Sequence, residues 1–295
     1  MTGSVGNEGL LAERVVVITG AGRGLGAAYA AAVAEHGATV LVNDIDSDAA
    51  AAVATRIVAA GGQAVVRPAD VADWTAATAL VDDCVAEFGR IDGLVNNAGV
   101  FGLAFPHQPD SASFRQIVDV NLMGTLACGT AALAHMVRAG SGMVLNVTSG
   151  EQMGKSASAV YGATKAAVAT LTYSWAADLA DTDVRVNAIS PNAHTGMADI
   201  YRSFFGVAGS QNIGIAPEVN APLVVYLLSD LSREIRGQVI RLAGRELMLC
   251  THPALLDTVL TDAWTVEAID RAMRETLVDR QVPVGVQRVT QQIAR

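Results

Sequence analysis

The chain has 295 residues, of which 51% are hydrophobic and only 17% are charged. This balance excludes a disordered chain, and the length suits one large domain or two small ones. The 20 Lys and Arg residues against 29 Asp and Glu residues give a formal net charge of −9. An acidic chain without a basic cluster is a poor binder of a phosphate backbone, so we expect no nucleic-acid partner.

The cysteines and the N-terminal segment bear on location. Cys84, Cys128 and Cys250 are far apart and match no metal-ligand or redox spacing. They predict free thiols in a reducing compartment, with no disulfide framework and no metal site. Residues 1–13 lack the apolar core of a secretory signal, and no apolar run approaches the ~18 residues of a membrane span. We expect a cytoplasmic protein without a membrane partner.

Short β-branched runs alternate with longer Ala-rich segments along the chain. The expected strands are 14–19, 39–43, 63–67, 91–95, 142–147, 184–189 and 238–242, and the expected helices are 25–36, 47–60, 74–88, 111–138, 158–179 and 217–228. Strands that are apolar throughout predict burial on both faces, as in a parallel sheet covered by helices. We predict one α/β domain with a doubly wound Rossmann-type fold, a central seven-stranded parallel sheet and helices on both faces.

Two segments depart from this alternation. One lies within the core, 14–248, and the other follows it. Residues 194–215 are too many for an ordinary crossover loop and predict an active-site lid. A C-terminal extension, 249–295, follows the last expected strand. Within it Val266, Ile269, Met273 and Leu277 recur at helical spacing. This pattern predicts an amphipathic helix packed on its own subunit or on a neighbour.

A glycine-rich turn follows the first expected strand directly. Residues 19–26 read Thr-Gly-Ala-Gly-Arg-Gly-Leu-Gly, with the spacing Gly-x-x-x-Gly-x-Gly. Glycines let backbone amides approach a pyrophosphate, and the N-terminus of the next helix favours its negative charge. A tight turn alone also needs glycine, so the motif gains weight from its context. That context predicts a dinucleotide site.

Two side chains give opposite indications about the dinucleotide. Asp44 lies at the end of the second expected strand, 20 positions after Gly24. A carboxylate there accepts the adenosine ribose hydroxyls and repels the 2′-phosphate of NADP. Arg23, inside the glycine turn, could instead pair with that phosphate. We give Asp44 the greater weight, so the sequence favours NAD, with NADP as the alternative.

A phenol and an ammonium group share one helix face in the segment Tyr161-Gly-Ala-Thr-Lys165. A free tyrosine has a pKa of ~10, and a nearby fixed cation lowers that value. The pair could then exchange a proton with an alcohol or carbonyl oxygen. Ser149 ends the preceding expected strand and supports this interpretation over a chance surface pair.

These motifs, in this order, resemble those of the short-chain dehydrogenase/reductase family over about residues 14–242. The residues that carry the resemblance are Thr19, Gly20, Gly24, Gly26, Asp70, Asn96, Asn97, Ala98, Gly99, Asn121, Ser149, Tyr161, Lys165 and Pro191. The resemblance implies an oxidoreductase that transfers a hydride between a nicotinamide cofactor and a secondary alcohol or ketone. It also implies a homotetramer or homodimer in which helices 111–138 and 158–179 pair across a two-fold axis. Small residues that would allow close helix approach are Ala163, Ala166, Ala167 and Ala177.

The resemblance also implies residue roles. Tyr161 would be the general acid/base, Lys165 would lower its pKa and hold the nicotinamide ribose, and Ser149 would hydrogen-bond the reacting oxygen. Asn121 would fix a water in a proton relay from Lys165. The implied cofactor-binding residues are Gly20, Arg23, Gly24, Leu25, Gly26, Asp44, Asp70, Val71, Asn97, Ala98, Gly99, Tyr161, Lys165, Pro191 and Thr195. Among them, Asp70 and Val71 would edge the adenine, and Thr195 would contact the nicotinamide amide.

Two departures from the family pattern matter. Tyr161 follows Ser149 by 12 positions, one fewer than is common, and Thr148 has the common spacing, so Thr148 is the alternative hydroxyl. The usual Pro-Gly after the sixth strand is Pro191-Asn192 here. This variant resembles the branch that contains the (3R)-hydroxyacyl-CoA dehydrogenase unit of the peroxisomal multifunctional enzyme.

The substrate side is expected to be apolar. The residues expected to wall it are Phe101, Phe105, Met153, Met197, Ile200, Tyr201, Phe204 and Phe205, with His194 as a possible polar contact. Such a wall suits a bulky hydrophobic alcohol or ketone, 3-hydroxyacyl-CoA-like or steroid-like. The alternatives are an NADPH-dependent 3-ketoacyl-type reductase and a non-catalytic dinucleotide-sensing protein. A sugar-nucleotide epimerase fits poorly, because the glycine spacing differs.

Overall fold

The structure is a computed structural model that describes residues 9–193, 196–206, 215–253, 259, 263, 265–277 and 279, without the side chains of residues 197 and 198. The chain divides into two compact units, Met1–Cys250 and Thr251–Arg295. His194, Thr195 and the Met197 side chain, all predicted near the substrate or cofactor, lie outside the described residues, as do residues 207–214 of the expected lid.

The first unit contains one eight-stranded sheet in the order β3-β2-β1-β4-β5-β6-β7-β8. Its strands are β1 Val15–Ile18, β2 Thr39–Val42, β3 Gln63–Val66, β4 Gly93–Asn96, β5 Gly142–Val147, β6 Val184–Asn192, β7 Val239–Ala243 and β8 Glu246–Cys250. The first seven strands are parallel, as predicted. The eighth pairs antiparallel with β7, so the expected number of seven strands was one too few.

The additional strand arises from a two-residue turn. Ala243 pairs with Glu246, and Gly244 between them has a φ of +62°, which glycine adopts without strain. Leu247 and Leu249 on β8 are 64% and 67% exposed. The pattern analysis predicts no strand over 246–250, although a glycine-containing turn between two apolar runs is a hairpin signal.

Helices cover both faces of the sheet. They are α1 Gly24–Glu35, α2 Ser47–Ala59, α3 Trp74–Phe88, α4 Ser111–Val118, α5 Gly124–Ala139, α6 Ala159–Asp178, α7 Gly196–Phe205 and α8 Ala221–Leu228. Alternate residues of β1 face opposite layers: Val16 and Ile18 pack with α1, α2 and α8, whereas Val15 and Val17 pack with α3 and α5. The doubly wound Rossmann-type architecture is therefore confirmed.

The long helix expected over 111–138 is interrupted. A π-helical turn, Asp119–Met123, separates α4 from α5 and carries Asn121, which is fully buried. Such single π turns are frequent at functional sites. A 3₁₀ turn, Pro217–Asn220, likewise precedes α8 within the expected helix 217–228.

The combined helical stretch Ser111–Ala139 is long and apolar enough to cross a membrane. Its most apolar 18-residue segment has a mean hydropathy of 1.5, and 44% of that segment is buried. Its residues Ala127, Cys128, Ala132 and Met136 are each 0% exposed in the core beneath the sheet. The stretch therefore acts as a core helix of this fold.

Arg14 joins the start of β1 to a distant part of the first unit. Its guanidinium donates to the Leu228 carbonyl oxygen at 2.6 Å and to the Asp230 carboxylate at 2.6 Å. The central strand is thereby fixed to the segment that follows α8.

The described part of the second unit is short. It contains α9, Val266–Ala272, followed by a π turn, Met273–Leu277, and Thr265 caps α9 by accepting the amide of Ala268 at 3.2 Å. Val266, Ile269 and Met273 are 78%, 49% and 42% exposed. The apolar face predicted for this helix is thus largely open in a single chain.

Candidate active site

The predicted site residues meet at the carboxyl edge of the sheet. The chain leaves β1 toward β2 on one side, and β4 lies on the other, so a crevice opens where the strand order reverses. Ligands of doubly wound sheets bind in this crevice. The turn after β1, the loop after β4 and the ends of β5 and β6 all border it.

The glycine turn after β1 is packed too closely for side chains. Gly20 has a φ of +61°, and a Cβ there would lie 2.7 Å from the Ala98 Cα. A Cβ on Gly26 would lie 2.2 Å from the Gly20 carbonyl oxygen. Both glycines are therefore required by the fold of the turn, which brings backbone groups to the crevice.

The N-terminus of α1 differs from those of the next helices. Asp46, Asp73 and Asp110 cap α2, α3 and α4 by accepting backbone amides, whereas the α1 N-cap, Arg23, makes no side-chain cap bond. The first turn of α1, with Gly24 and Leu25, also contains no acidic residue. Its free donors and positive end fit the pyrophosphate of a dinucleotide.

The loop after β4 is hydrogen-bonded to the glycine turn through Thr19, a residue that the predicted site did not include. The Thr19 hydroxyl accepts the backbone amides of Asn97 and Ala98, each at 3.1 Å. The Asn97 side chain donates to the carbonyl oxygens of Thr19 and Gly20, each at 2.9 Å. Asn97 and Ala98 therefore shape the cleft in this structure, and the small polar residue at the end of β1 was the available signal.

Asp44 lies at the end of β2 and is 8% exposed. One carboxylate oxygen accepts the Gly22 amide at 2.9 Å and the other accepts the Asp46 amide at 3.1 Å. The Arg23 guanidinium pairs with Asp46 at 2.9 Å, and its side chain is 73% exposed. Arg23, the side chain that could pair with a 2′-phosphate, is thus already paired with a carboxylate.

Three other residues that were predicted to bind the cofactor differ in burial and in the element that carries them. Asp70 is exposed and accepts the Ala72 amide at 2.9 Å, while Val71 is buried against Gly124. Pro191 lies on β6, which continues three residues beyond the expected end at 189.

Ser149 and Tyr161 are brought together at the end of β5 and the start of α6. Ser149 hydrogen-bonds the Tyr161 hydroxyl. Thr148 is 2% exposed and donates to the Ile189 carbonyl oxygen at 2.9 Å. The geometry therefore places Ser149 at the phenol and directs Thr148 into the sheet.

Lys165 lies one turn further along α6 and is 4% exposed. Its ammonium group donates to the Val147 carbonyl oxygen at 2.8 Å and lies 5.8 Å from the centre of the Tyr161 ring. Burial lowers the pKa of Lys165 to about 8. The cation is thus directed by the end of β5 toward the crevice.

Asn121 ties the π turn to the loop after β4. Its side-chain oxygen accepts the Val100 amide at 2.8 Å and its amide donates to the Val100 carbonyl oxygen at 3.0 Å. A Cβ on Gly99 would lie 3.3 Å from the Asn121 side-chain oxygen and 3.5 Å from the Lys165 nitrogen. Glycine at position 99 thus keeps open the space that Asn121 and Lys165 share.

The electrostatics of Tyr161 differ from the prediction. Burial first, and the nearby Glu151 carboxylate second, raise the pKa of the phenol above its ordinary value, with the Ser149 hydrogen bond opposing them. The sequence argument expected Lys165 to lower this pKa. The net shift in this structure has the opposite direction, because burial of the phenol and the charge of Glu151 raise the pKa.

Aromatic side chains border the reacting groups. Phe101 packs edge-on against the Tyr161 ring at 4.8 Å between ring centres. Phe105, in the loop after β4, contacts Phe204 and Phe205 of α7 at 5.4 Å and 6.3 Å. Tyr201 and Phe205 pack at 4.6 Å. Met153 of the 3₁₀ turn after Ser149 is half-buried, whereas Ile200 is 43% exposed.

Comparison with known proteins gives the family. A family model described as short chain dehydrogenase matches residues 14–202. This chain belongs to the short-chain dehydrogenase/reductase family. It is 39% identical over 243 residues to the cis-4-hydroxycyclohexanecarboxylate dehydrogenase of Sinomonas cyclohexanicum, covering 79% of this chain and 96% of that protein.

Further short-chain dehydrogenases/reductases are similar over most of the chain. The 3-oxoacyl-[acyl-carrier-protein] reductase of Synechocystis is 34% identical over 247 residues, covering 83% of this chain and 92% of that protein. A short chain dehydrogenase structure from Mycobacterium avium superposes with a TM-score of 0.83 at 34% identity, covering 94% of this chain and 98% of that one. The chain is thus an oxidoreductase that acts on hydroxyl or keto groups with NAD(P).

Proposed function

We propose that this short-chain dehydrogenase/reductase interconverts a bulky apolar secondary alcohol and its ketone, with NAD as the cofactor. The observation that carries the proposal is the meeting of Ser149, Tyr161 and Lys165 at one point, with the Phe101 ring packed against Tyr161. A hydroxyl, a phenol and a buried cation at one point form a proton-exchange site, whereas a sensing protein needs no such group.

The chain's own residues support this chemistry. When bound, NAD supplies the hydride acceptor for alcohol oxidation, and its reduced form supplies the hydride for ketone reduction. Tyr161 exchanges the proton with the substrate oxygen, and Ser149 orients that oxygen by a hydrogen bond. The Lys165 ammonium, 5.8 Å from the centre of the Tyr161 ring, would hold the nicotinamide ribose by a hydrogen bond. Asn121 holds the loop at Val100 so that this geometry persists.

The aromatic wall supports the substrate class. Phe101 packs against Tyr161 itself, and Phe105, Phe204 and Phe205 form a second aromatic cluster between the loop after β4 and α7. Such surfaces suit a ring or a branched chain that carries a secondary alcohol. The name of the Sinomonas relative specifies a cyclohexane-ring alcohol, which agrees with this class.

The pairing of Arg23 supports NAD over NADP. Arg23 lies within the glycine turn, and its guanidinium is paired with Asp46. The buried Asp44 carboxylate lies at the end of β2, beside the expected adenosine ribose. Its charge would repel a 2′-phosphate, which disfavours the NADPH-dependent 3-ketoacyl-type reductase.

Turnover with a defined substrate set tests the proposal. The panel contains cis-4-hydroxycyclohexanecarboxylate, cyclohexanol, a steroid alcohol and a 3-hydroxyacyl-CoA, each with NAD and with NADP, followed by the absorbance of the reduced nicotinamide. Tyr161→Phe is the control, and we expect it to lower kcat by about 10²–10⁴ while NAD binding stays within twofold of wild type. Cofactor binding without turnover of any alcohol would favour the sensing protein.

A further inference from the structure

Lys155 joins two elements of the first unit and has no part in the mechanism above. It lies between the 3₁₀ turn Gly150–Met153, which follows Ser149 directly, and the start of α6. Its ammonium group donates to a Glu151 carboxylate oxygen at 3.2 Å and lies 4.3 Å from the centre of the Tyr201 ring of α7. The lysine is thus held between a carboxylate on one element and an aromatic face on another.

These contacts lead from α7 to the catalytic serine. The second carboxylate oxygen of Glu151 is hydrogen-bonded to the Ser149 hydroxyl. The Tyr201 ring is therefore separated from Ser149 by two side chains, those of Glu151 and Lys155. This places α7 beside the groups that the mechanism uses.

A second set of contacts leads from α7 to the catalytic phenol. Phe105, in the loop after β4, contacts Phe204 and Phe205 of α7 at 5.4 Å and 6.3 Å between ring centres. The same loop carries Phe101, which packs on the Tyr161 ring at 4.8 Å. α7 is thus connected with the reacting groups on two sides.

The backbone that carries Lys155 is itself held in place. The Ala157 carbonyl oxygen accepts the Ala104 amide at 2.9 Å, and the Lys155 carbonyl oxygen accepts the Ser158 amide at 3.2 Å. Ala157 has a φ of +61°, a conformation that a residue other than glycine keeps only where its surroundings impose it. Lys155 therefore extends from a segment that the neighbouring loop and α6 fix.

We propose that Lys155 is a positioning residue which, through the face of the Tyr201 ring, holds α7 at the substrate side of the site and so sets the affinity for bulky alcohols. The inference rests on the proposed function, because it assigns part of the substrate wall to α7. A cation within ~6 Å of an aromatic ring centre is attracted to the face of the ring. The contact therefore uses the charge of Lys155 and the ring of Tyr201, and it does not need the tyrosine hydroxyl.

Two pairs of variants isolate this contact. Lys155→Gln removes the charge but keeps a donor for Glu151, whereas Lys155→Arg keeps the charge. Tyr201→Leu removes the ring, whereas Tyr201→Phe removes only the hydroxyl. The readout is the hydrogen–deuterium exchange of the α7 backbone amides in cofactor-free protein, measured by mass spectrometry, with α3 as the internal reference.

We expect the α7 amides to exchange about fivefold faster in Lys155→Gln and in Tyr201→Leu, and within about twofold of wild type in Lys155→Arg and Tyr201→Phe. The double variant Lys155→Gln/Tyr201→Leu should exchange no faster than either single variant, because each change alone removes the whole contact.

Three results would contradict the proposal. They are unchanged exchange in both Lys155→Gln and Tyr201→Leu, additive effects in the double variant, and faster exchange in Tyr201→Phe, which keeps the ring. If Tyr201→Leu does not fold, faster exchange in Lys155→Gln and its rescue in Lys155→Arg decide the matter without it.

Kinetics test the effect on substrate affinity. We expect the KM for the steroid alcohol to rise about fivefold in Lys155→Gln and to be restored in Lys155→Arg. The rise should be smaller for cyclohexanol, because a smaller substrate buries less apolar surface against α7. A fall in kcat at unchanged KM would show that Lys155 acts on Ser149 through Glu151 and would overturn the proposal.

The two measurements separate this inference from the proposed function. The exchange experiment needs neither substrate nor cofactor. Failure of wild type to oxidise any alcohol would count against the proposed function, while the exchange rates would still decide whether Lys155 holds α7.

Discussion

Lys165 combines a functional position with an unfavourable environment. The residue is 4% exposed, and burial lowers its pKa to about 8 from an ordinary 10.5. Because the folded state releases this proton more readily than the unfolded chain, the charged lysine destabilises the fold below pH 8. The difference corresponds to about 3 kcal/mol, which disappears as the pH rises from about 8 toward the unfolded value.

We therefore expect Lys165→Met to raise the free energy of unfolding at pH 7 by up to about 3 kcal/mol, while abolishing turnover. Methionine fills a similar volume without a charge. Denaturant unfolding of wild type and variant at pH 7 and at pH 10 measures the effect. The difference in free energy of unfolding between the two proteins should shrink at the higher pH. A difference that grows with pH would show that the buried charge is not what destabilises wild type.

Asp44 and Asp46 give a second test at this scale, on cofactor choice. Asp44→Asn removes the charge at the ribose edge and keeps one oxygen for a backbone amide. Asp46→Asn releases Arg23 and retains an N-cap oxygen for α2. A third of the roughly 4 kcal/mol between two charges ~4 Å apart is about a tenfold change, so we expect each variant to narrow the preference for NAD over NADP about tenfold.

Fluorescence titration of both cofactors with wild type, Asp44→Asn and Asp46→Asn measures these affinities without turnover. Asp48→Asn, on the same turn of α2, is the matched control and should leave the preference unchanged. Wild type that binds NADP more tightly than NAD would instead favour the NADPH-dependent reductase.

The packing of α5 on α6 shows how one element constrains another. Gly129 of α5 faces Trp175 of α6, and a Cβ at position 129 would lie 2.5 Å from the indole ring. Small residues at such contacts let two helices approach closely, and a side chain there forces the partner away.

We expect Gly129→Ala to lower the free energy of unfolding by about 1 kcal/mol, because overpacking against Trp175 exceeds the gain in helix propensity. Denaturant unfolding followed by tryptophan fluorescence measures it. Thr130→Ala, at the neighbouring exposed position, should change stability by less than about 0.5 kcal/mol. If Gly129→Ala instead raised the free energy of unfolding, the indole ring of Trp175 would be able to move aside without an energetic cost.

The sequence predicted the seven parallel strands correctly but missed two local features of the site. The parallel strands were predicted because runs such as Val15–Ile18 are apolar on both faces. The π turn at Asn121 was missed, since hydrophobic periodicity continues through it and the Asn121 side-chain bonds to Val100 form only in the folded chain. Glu151 was missed for a related reason. It accepts hydrogen bonds from Ser149 and Lys155, which are close in sequence but are brought to it by the 3₁₀ turn.

At the scale of the whole molecule, the outer face of α6 has the properties expected of a subunit contact. Ala163 and Ala177 are exposed and Ala166 and Ala167 are half-buried, so a strip without large side chains runs along the helix. The homotetramer remains a prediction from the family resemblance, and this strip is where it can be tested.

We expect wild type to be larger than a monomer by mass photometry, and Ala163→Arg to shift it to a smaller species, because an arginine would keep two such helices apart. Ala51→Arg, on the exposed face of α2, should leave the mass distribution unchanged. An oligomer that persists in Ala163→Arg would place the subunit contact elsewhere.

The hydrogen bonds of Arg14 to Leu228 and Asp230 have a consequence for biosynthesis. The partners of Arg14 follow it in the sequence by 214 and 216 residues. At ~5–20 residues synthesised per second, roughly 10–40 s pass on the ribosome between the emergence of the two ends. During that interval β1 has no such anchor, and the edge of β4 that β5 later covers is open to other chains until residues 142–147 follow. Newly made chains therefore carry an uncovered β4 edge until β5 is synthesised, and we expect a chaperone that covers β4 in this window to increase the yield of folded enzyme.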